Sequence, residues 1–358
     1  MHFVLETFTV HKRFPLTISR GTTSQTTNIW LRVEQQGIEG WGEASPFSIR
    51  GDDKAGISGV RQSAEELWEA LQMVASRLET FSPWERQKIE QVLRETEVPS
   101  AACAAIDLAL HDWMGKLTGV PLWRQWGLNR RRIVPISVTV GINSPEGARQ
   151  RVRDWLPLTG GGVLKIKLGS PAGIEADREM LLAVRDEAPQ AQLLVDANGG
   201  WSLEAAIQMC DWLASQGVKY VEQPLAAGEE NQLPILYERS PLPIFVDESC
   251  FTSHDIPKLA DRVHGINIKL MKSGGLTEAM RMVHTARACG LQVMFGCYSD
   301  STLANTAASH LAPLADYLDL DSHLNLVDDP FTGATVQDGR LIPNDLPGLG
   351  VQYRASNP

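Results

Sequence analysis

Short apolar runs interrupted by single charges dominate the second part of the chain. In Val163-Leu164-Lys165-Ile166-Lys167-Leu168 a period of two puts Lys165 and Lys167 on one face and Leu164, Ile166 and Leu168 on the other, the signature of a β-strand. The same alternation sets Asp196 and Asn198 against Val195 and Ala197, Lys269 against Ile268 and Leu270, and Asp319 and Asp321 against Leu318 and Leu320. Runs of this kind predict strands at 136–141, 162–169, 192–198, 218–223, 243–248, 265–270, 292–297 and 316–321, with helical stretches between them. Eight strands in a strand-then-helix repeat predict a closed parallel barrel, its apolar faces packed on helices and its charged faces lining a central site.

The first part of the chain reads differently. Residues 1–45 alternate like antiparallel strands, with 27–33 followed by a turn at Gln36-Gly37 and a return through Trp41. Ser63-x-x-Glu66 opens a helix as a capping box, and a second helix runs from Ser100 through Asp107, His111 and Lys116 to a stop at Gly119. Strands followed by helices predict a separate α+β domain over 1–125, ahead of a barrel domain over 126–328. The Gly- and Pro-containing segment 329–358 is expected to return to the first domain. The fold class expected is α/β, a modified TIM-type (β/α)7β barrel with an α+β capping domain.

A chain of 358 residues has room for both units, and its net charge of -10 argues against nucleic acid or an anionic membrane as a partner. Five scattered cysteines without C-x-x-C spacing suit a reducing compartment. No signal-peptide pattern opens the sequence, so a soluble cytoplasmic protein is expected.

The charged positions carry the chemistry. Strands two and six are four apart in a ring of eight, so Lys167 and Lys269 should face each other across the barrel mouth, with Asp196, Glu222 and Asp247 on the three strands between. One carboxylate at a strand end is ordinarily a turn former or helix cap; three on consecutive strands make an all-oxygen site suited to Mg2+ or Mn2+. Zinc is disfavoured, because no His or Cys shares the spacing. Two lysines flanking a divalent cation suggest proton transfer at a carbon next to a carboxylate. A gap of about ten pKa units between that carbon and its base amounts to roughly 14 kcal/mol, most of which a cation on the developing enolate must offset. Lys165 is expected to lower the pKa of Lys167 by like-charge repulsion. With one base on each face, the outcome is inversion. Lys272 reads as a solvated or structural residue, Cys297 as a small pocket-wall residue, and His310 and His323 have no partner at a useful spacing.

Lys165-Ile166-Lys167, Val195-Asp196-Ala197-Asn198, Val221-Glu222-Gln223-Pro224, Val246-Asp247-Glu248-Ser249 and Asn267-Ile268-Lys269-Leu270-Met271-Lys272-Ser273-Gly274-Gly275 resemble the enolase superfamily, muconate-lactonizing subgroup. Gly40-Trp41-Gly42-Glu43-Ala44 and the segment 107–112 are similar to that family's capping domain. The resemblance implies a Mg2+-dependent enzyme, a symmetric homo-oligomer, and two loops, about 16–26 and about 47–55, that close over the substrate. Asp319-Leu320-Asp321 resembles the Asp-x-Asp pair with which dipeptide epimerases hold a substrate's free α-ammonium group, which implies epimerisation of the C-terminal residue of an L-Xaa-L-Xaa dipeptide. o-Succinylbenzoate synthesis, N-acylamino acid racemisation and muconate cycloisomerisation use the same apparatus and are the alternatives. Where Ala-Glu epimerases resemble Gly-Cys-Met-x-Glu-Ser, this chain has Gly296-Cys297-Tyr298-Ser299-Asp300-Ser301, so Cys297, Tyr298 and Asp300 reshape the substrate pocket. Asn198 is expected to join the substrate contacts, and Glu248 either to orient a catalytic lysine from behind or to form a purely structural salt bridge. Arg20 is expected to pair with an acidic substrate side chain, and Arg50, Asp52 and Asp53 could equally favour a different charge.

Overall fold

The computed structural model describes residues 1–49, 60–160 and 162–354. Strands β1 (His2–Ile18), β2 (Gly21–Gln35) and β3 (Ile38–Ala44) form an antiparallel sheet in that order. Its first two strands reach further than the alternation suggested. Leu16 pairs with Thr23, Thr17 with Thr22 and Ile18 with Gly21, so most of the segment expected to be a loop is a two-stranded ribbon with Ser19 and Arg20 at its tip. Threonines account for this: β-branched residues favour extended backbone, and Thr17 and Thr22 join their hydroxyls across the strands at 2.8 Å. The short strands β4 (Phe47–Ile49) and β5 (Val60–Gln62) pair antiparallel. Arg50, Asp52 and Asp53, in the second expected loop, lie outside the described residues.

Helix α1 (Ala64–Leu78) starts at the expected capping box, with Ser63 Oγ accepting from Glu66 N and Glu66 Oε2 accepting from Ser63 N. Helices α2 (Arg86–Glu95) and α3 (Ser100–Thr118) follow, and α3 ends where Gly119 enters the left-handed region at φ 70°. The α3 helix lies directly on β3 because two glycines leave room for it. A Cβ on Gly40 would stand 2.1 Å from Ala109 O, and one on Gly42 1.8 Å from Ala105 O. Gly42→Ala is therefore expected to destabilise the protein by about 1–3 kcal/mol and to lower the midpoint of thermal unfolding. An unchanged midpoint would show that this contact is not tight.

The barrel strands are β6 (Val138–Val140), β7 (Val163–Lys167), β8 (Gln192–Asp196), β9 (Val221–Glu222), β10 (Ile244–Val246), β11 (Gly265–Lys269), β12 (Gln292–Gly296) and β13 (Tyr317–Asp319). They are parallel and hydrogen-bonded in sequence order, and a parallel bridge between Ile136 and Leu318 joins first to last. Helical segments occupy the seven intervals between strands. Leu194, Tyr220, Phe245 and Met294 fill one level of the interior with apolar side chains, so the barrel is packed rather than hollow there. Several strands are shorter than their apolar runs. At two of them the cause is local, since Asn198 (φ 45°) and Gln223 (φ 37°) turn into the left-handed region just past β8 and β9.

After β13 the chain crosses back to the first sheet. Phe331–Thr332 pairs with Gln352–Tyr353, Tyr353 stacks on Trp41 at 5.4 Å, and Phe331 meets the same indole edge-on. Buried Asp112 on α3 accepts from Trp41 N and Leu349 N and pairs with Lys116, tying β3, α3 and this segment together. No helix among the described residues is long and apolar enough to cross a membrane.

Candidate active site

Every barrel strand from β7 to β11 delivers a charged residue at or just past its C-terminal end. Lys167 pairs in register with Asp196 and Asp196 with Glu222, while Lys269 pairs with Gly296 and Gly296 with Asp319, so these residues share one level of the barrel. Asp247 follows β10 directly, and Lys167 and Lys269 stand on strands four apart in the ring. The three carboxylates and two lysines expected to meet are therefore brought together, all of them buried.

Their charges are closely matched. Lys165, with no exposed surface, lies 2.6 Å from Asp319 Oδ2, 2.7 Å from Glu222 Oε2 and 3.4 Å from Asp196 Oδ2. Burial works against its charge, yet these carboxylates raise its pKa well above the usual lysine range. Three anions therefore compensate its charge. Lys167 Nζ instead meets Asp196 Oδ2 at 2.6 Å. Despite burial, the neighbouring lysines hold Asp196 down at about 2. Lys269 Nζ lies 2.7 Å and Lys272 Nζ 2.6 Å from the two oxygens of Asp247, whose carboxyl they hold well below the ordinary range although burial opposes them. Lys272 also donates to the carbonyls of Asp247 and Asn267. It is structural, as one half of its reading had it, but buried rather than solvated, because the turn after β11 folds it back beneath Asp247.

Among the described residues no three His, Cys, Asp or Glu side chains are already gathered as a metal cluster. The ammonium groups of Lys165, Lys167 and Lys269 lie against the carboxylates. The donors fit a hard divalent cation all the same. They are all oxygen and lie on adjacent strands, and burial with the neighbouring charges of Asp196 and Asp247 pushes Glu222 up to about 7. The oxygens Asn198 Oδ1 and Glu248 Oε2 are buried without a hydrogen bond. A buried group of carboxylates that raises the pKa of its own member is one that added positive charge would relax.

The expected substrate residues surround this centre in different states. Asp319 accepts from Ser137 Oγ as well as from Lys165, and Asp321 Oδ2 accepts from Thr139 N at 2.6 Å. Burial and the nearby Asp319 push Asp321 up to about 6. Arg20, at the ribbon tip, pairs with Glu248 Oε1 at 2.8 Å and donates to Asn198 O, to which Ser19 Oγ also donates. Its charge is thus engaged by the protein, and Glu248 is tied to the ribbon and to Asn198 Nδ2 rather than to a lysine. Cys297 Sγ donates to Asp319 O, and burial pushes its thiol up to about 12, which fits a wall residue. Tyr298 stacks on Phe47 and lies under Lys269, and Asp300 accepts from Tyr298 N.

Sequence reasoning passed over the residues that hold these groups. Asn267 Nδ2 donates to Glu222 Oε1 at 2.7 Å; its position two before Lys269 already placed it on the inward face. Buried Asp177 accepts from Gly169 N, Ser170 N and Trp201 Nε1, fastening the loops after β7 and β8. Glu43, on β3, accepts from Ser301 N and Ala304 N at the start of the 302–309 helix, so the first sheet supports the loop that carries Tyr298 and Asp300. No spacing in the sequence links those positions. His310 is a buried structural residue, accepting from Trp123 N and bonded to Leu349 O. A cavity of about 630 Å3 opens at the opposite end of the barrel, beside Lys219, Arg287 and Asp316, and contains none of the residues above.

A family model described as enolase C-terminal domain-like matches residues 147–357, and one described as the mandelate racemase / muconate lactonizing enzyme N-terminal domain matches residues 3–127. The chain belongs to the enolase superfamily. Among its members, a "hydrophobic dipeptide epimerase" of Roseobacter litoralis is 47% identical over 95% of this chain and 95% of its own. Another so named, from Flavobacteria bacterium strain MS024-2A, is 43% identical over 99% of both. The crystal structure of a dipeptide epimerase from Enterococcus faecalis V583, complexed with Mg and the dipeptide L-Leu-L-Tyr, superposes with a TM-score of 0.88 at 29% identity, covering 98% of this chain and 99% of that one. The enolase-superfamily fold, a barrel with a capping domain, is the fold of this chain, and its class is that of an isomerase.

Proposed function

We propose that this isomerase inverts the Cα of the C-terminal residue of an L-Xaa-L-Xaa dipeptide by a two-base 1,1-proton transfer, and that its preferred dipeptides carry hydrophobic side chains. The observation that carries the reading is the placement of Lys167 and Lys269 on opposite sides of the carboxylate group formed by Asp196, Glu222 and Asp247. In this reading those three residues hold Mg2+, with Mn2+ as a substitute. The bound cation supplies the positive charge that makes the α-proton acidic enough to remove. One lysine, as free amine, takes the proton from Cα; the ammonium of the other delivers a proton to the opposite face, and the centre is inverted. Asp319 and Asp321 receive the substrate's α-ammonium group, with Lys165 keeping Asp319 ionised.

The hydrophobic preference rests on two supports. Arg20, the residue expected to meet an acidic side chain, is paired with Glu248, and Phe47 and Tyr298 give the site an aromatic wall. The two relatives named hydrophobic dipeptide epimerases are similar over nearly the whole chain. The division into capping and barrel domains at the boundaries read from the sequence, the homo-oligomer and the cytoplasmic location belong to the same proposal.

The test is deuterium incorporation from D2O with Mg2+ and pooled L,L-dipeptides, read by mass spectrometry. A gain of about one mass unit, for one C–H exchanged, is expected first in dipeptides with apolar or aromatic C-terminal residues. Exchange confined to Ala-Glu-like dipeptides would overturn the specificity. No exchange in any dipeptide, with Mg2+ shown to be bound, would sink the epimerase reading and favour the elimination and racemisation alternatives.

A further inference from the structure

The two lysines are held by different means. Lys167 Nζ has a carboxylate oxygen of Asp196 at 2.6 Å, supplied by the adjacent barrel strand. Lys269 Nζ has a carboxylate oxygen of Asp247 at 2.7 Å and, in addition, lies 4.5 Å from the centroid of the Tyr298 ring. That ring is stacked on Phe47, with centroids 4.6 Å apart and planes 4° from parallel. Tyr298 follows β12 in the barrel, whereas Phe47 is the first residue of β4, outside it. The phenol hydroxyl is buried without a hydrogen-bond partner. The ring is therefore placed by packing against Phe47, not by its polar end. An ammonium over an aromatic face is attracted by the ring's quadrupole, and a ring held from behind by a second ring presents that face in one orientation.

We propose that Phe47 and Tyr298 form a two-ring clamp that positions Lys269, so that one base of the pair depends on a residue from outside the barrel and the other does not. The inference rests on the two-base reading, but the clamp itself is a property of Lys269. Tyr298 and Phe47 are positioning residues. They exchange no proton, and the step they serve is unchanged: the amine of Lys269 takes the α-proton, the ammonium exchanges hydrogen for deuterium with D2O, and deuterium returns to the carbon.

Two measurements test it. The first uses the whole protein labelled with [ε-13C]lysine, with the Lys269 resonance assigned by its loss in Lys269→Arg. An ε-methylene held over a ring face is shifted upfield. That shift should be present in the parent protein, collapse in Tyr298→Leu, shrink in Phe47→Ala and persist in Tyr298→Phe. An unshifted Lys269 in the parent protein would overturn the clamp whatever the substrate.

The second follows α-deuterium exchange of each dipeptide epimer with only one base present. Adding Tyr298→Leu to Lys167→Ala, where Lys269 works alone, should slow exchange about tenfold or more, the scale of a misplaced reacting group. Because Tyr298 also walls the pocket, the dipeptide KM should rise in both backgrounds, but at saturating dipeptide adding it to Lys269→Ala should slow exchange several-fold less than adding it to Lys167→Ala. Tyr298→Phe should keep the ratio of the two half-reactions. Equal losses in both backgrounds would make Tyr298 only a pocket wall and overturn the proposal. A ring-shifted Lys269 in a protein that exchanges no dipeptide would uphold the clamp and sink the dipeptide reading alone.

Discussion

Lys167→Ala and Lys269→Ala are each expected to lower epimerisation by about 10^2–10^4-fold, the contribution of a positioned acid or base, while leaving part of the chemistry intact. The remaining lysine still reaches one face of the α-carbon. Each variant should therefore exchange the α-proton of one epimer with D2O without inverting it, and the two variants should exchange opposite epimers. This follows from their strands, four apart in the ring, and from their separate carboxylate partners, Asp196 and Asp247. NMR of purified L,L- and L,D-dipeptides in D2O measures exchange and inversion together. If both variants exchanged the same epimer, the lysines would share a face and two-base inversion would fail. Stability should change little in Lys167→Ala by comparison with loss of a shared carboxylate, since Asp196 keeps Lys165 at 3.4 Å and the Asn198 amide N–H at 2.8 Å.

Asp247→Ala should be the more damaging change to the molecule as a whole. It would leave the ammonium groups of Lys269 and Lys272 buried without their carboxylate, a cost of about 3–5 kcal/mol for a broken buried pair. Because those lysines depress its pKa, the contribution of Asp247 is present at neutral pH and is lost as the pH falls below about 4. Activity should vanish with it, as a proposed cation ligand is gone. Glu222→Gln separates the two effects. Burial and its anionic neighbours already push Glu222 up to about 7, and an amide oxygen can still accept from Asn267 Nδ2. Its amide nitrogen would face the Lys165 ammonium, which keeps Asp319 and Asp196, so the stability cost should be about 1–3 kcal/mol and smaller than for Asp247→Ala, while Mg2+ affinity and activity fall by about 10^2-fold or more. Thermal unfolding and calorimetric Mg2+ titration of both variants would decide this. A Glu222→Gln protein that binds Mg2+ as before would remove Glu222 from the ligand set.

The barrel was legible because β7 to β11 and β13 repeat one rule: apolar residues outward and a charged, inward-facing residue at or just past the C-terminal end. Period two was enough to put Lys165 beside Lys167 and Asp319 beside Asp321. It was not enough to say whom each would meet. Lys165 faces carboxylates from three other strands, and only closure of the ring brings Asp319 to it. Lys272 escaped for a different reason. It lies on a short helix begun at Leu270, where strand alternation has ended, so its spacing from Lys269 carried no information about facing. Arg20 read as available because its partner Glu248 lies far along the chain, and the long Thr-rich ribbon that carries it across read as a loop. Strand ends were misplaced where Asn198 and Gln223 adopt left-handed backbone, a conformation set by the hydrogen bonds around them: Gln223 Oε1, for example, accepts from Asp247 N.

The closing of Phe331 and Tyr353 over Trp30 and Trp41 has a bearing on how the protein is made. A ribosome releases residues 27–44 long before residues 331–353 exist, with the whole barrel in between. The indoles of Trp30 and Trp41 must therefore stay uncovered on their outer side until residues 331–353 emerge, and that segment acts as the seal. Nascent chains arrested before residue 331 should carry a water-exposed tryptophan surface for chaperones to bind, and emergence of residues 331–353 should bury it.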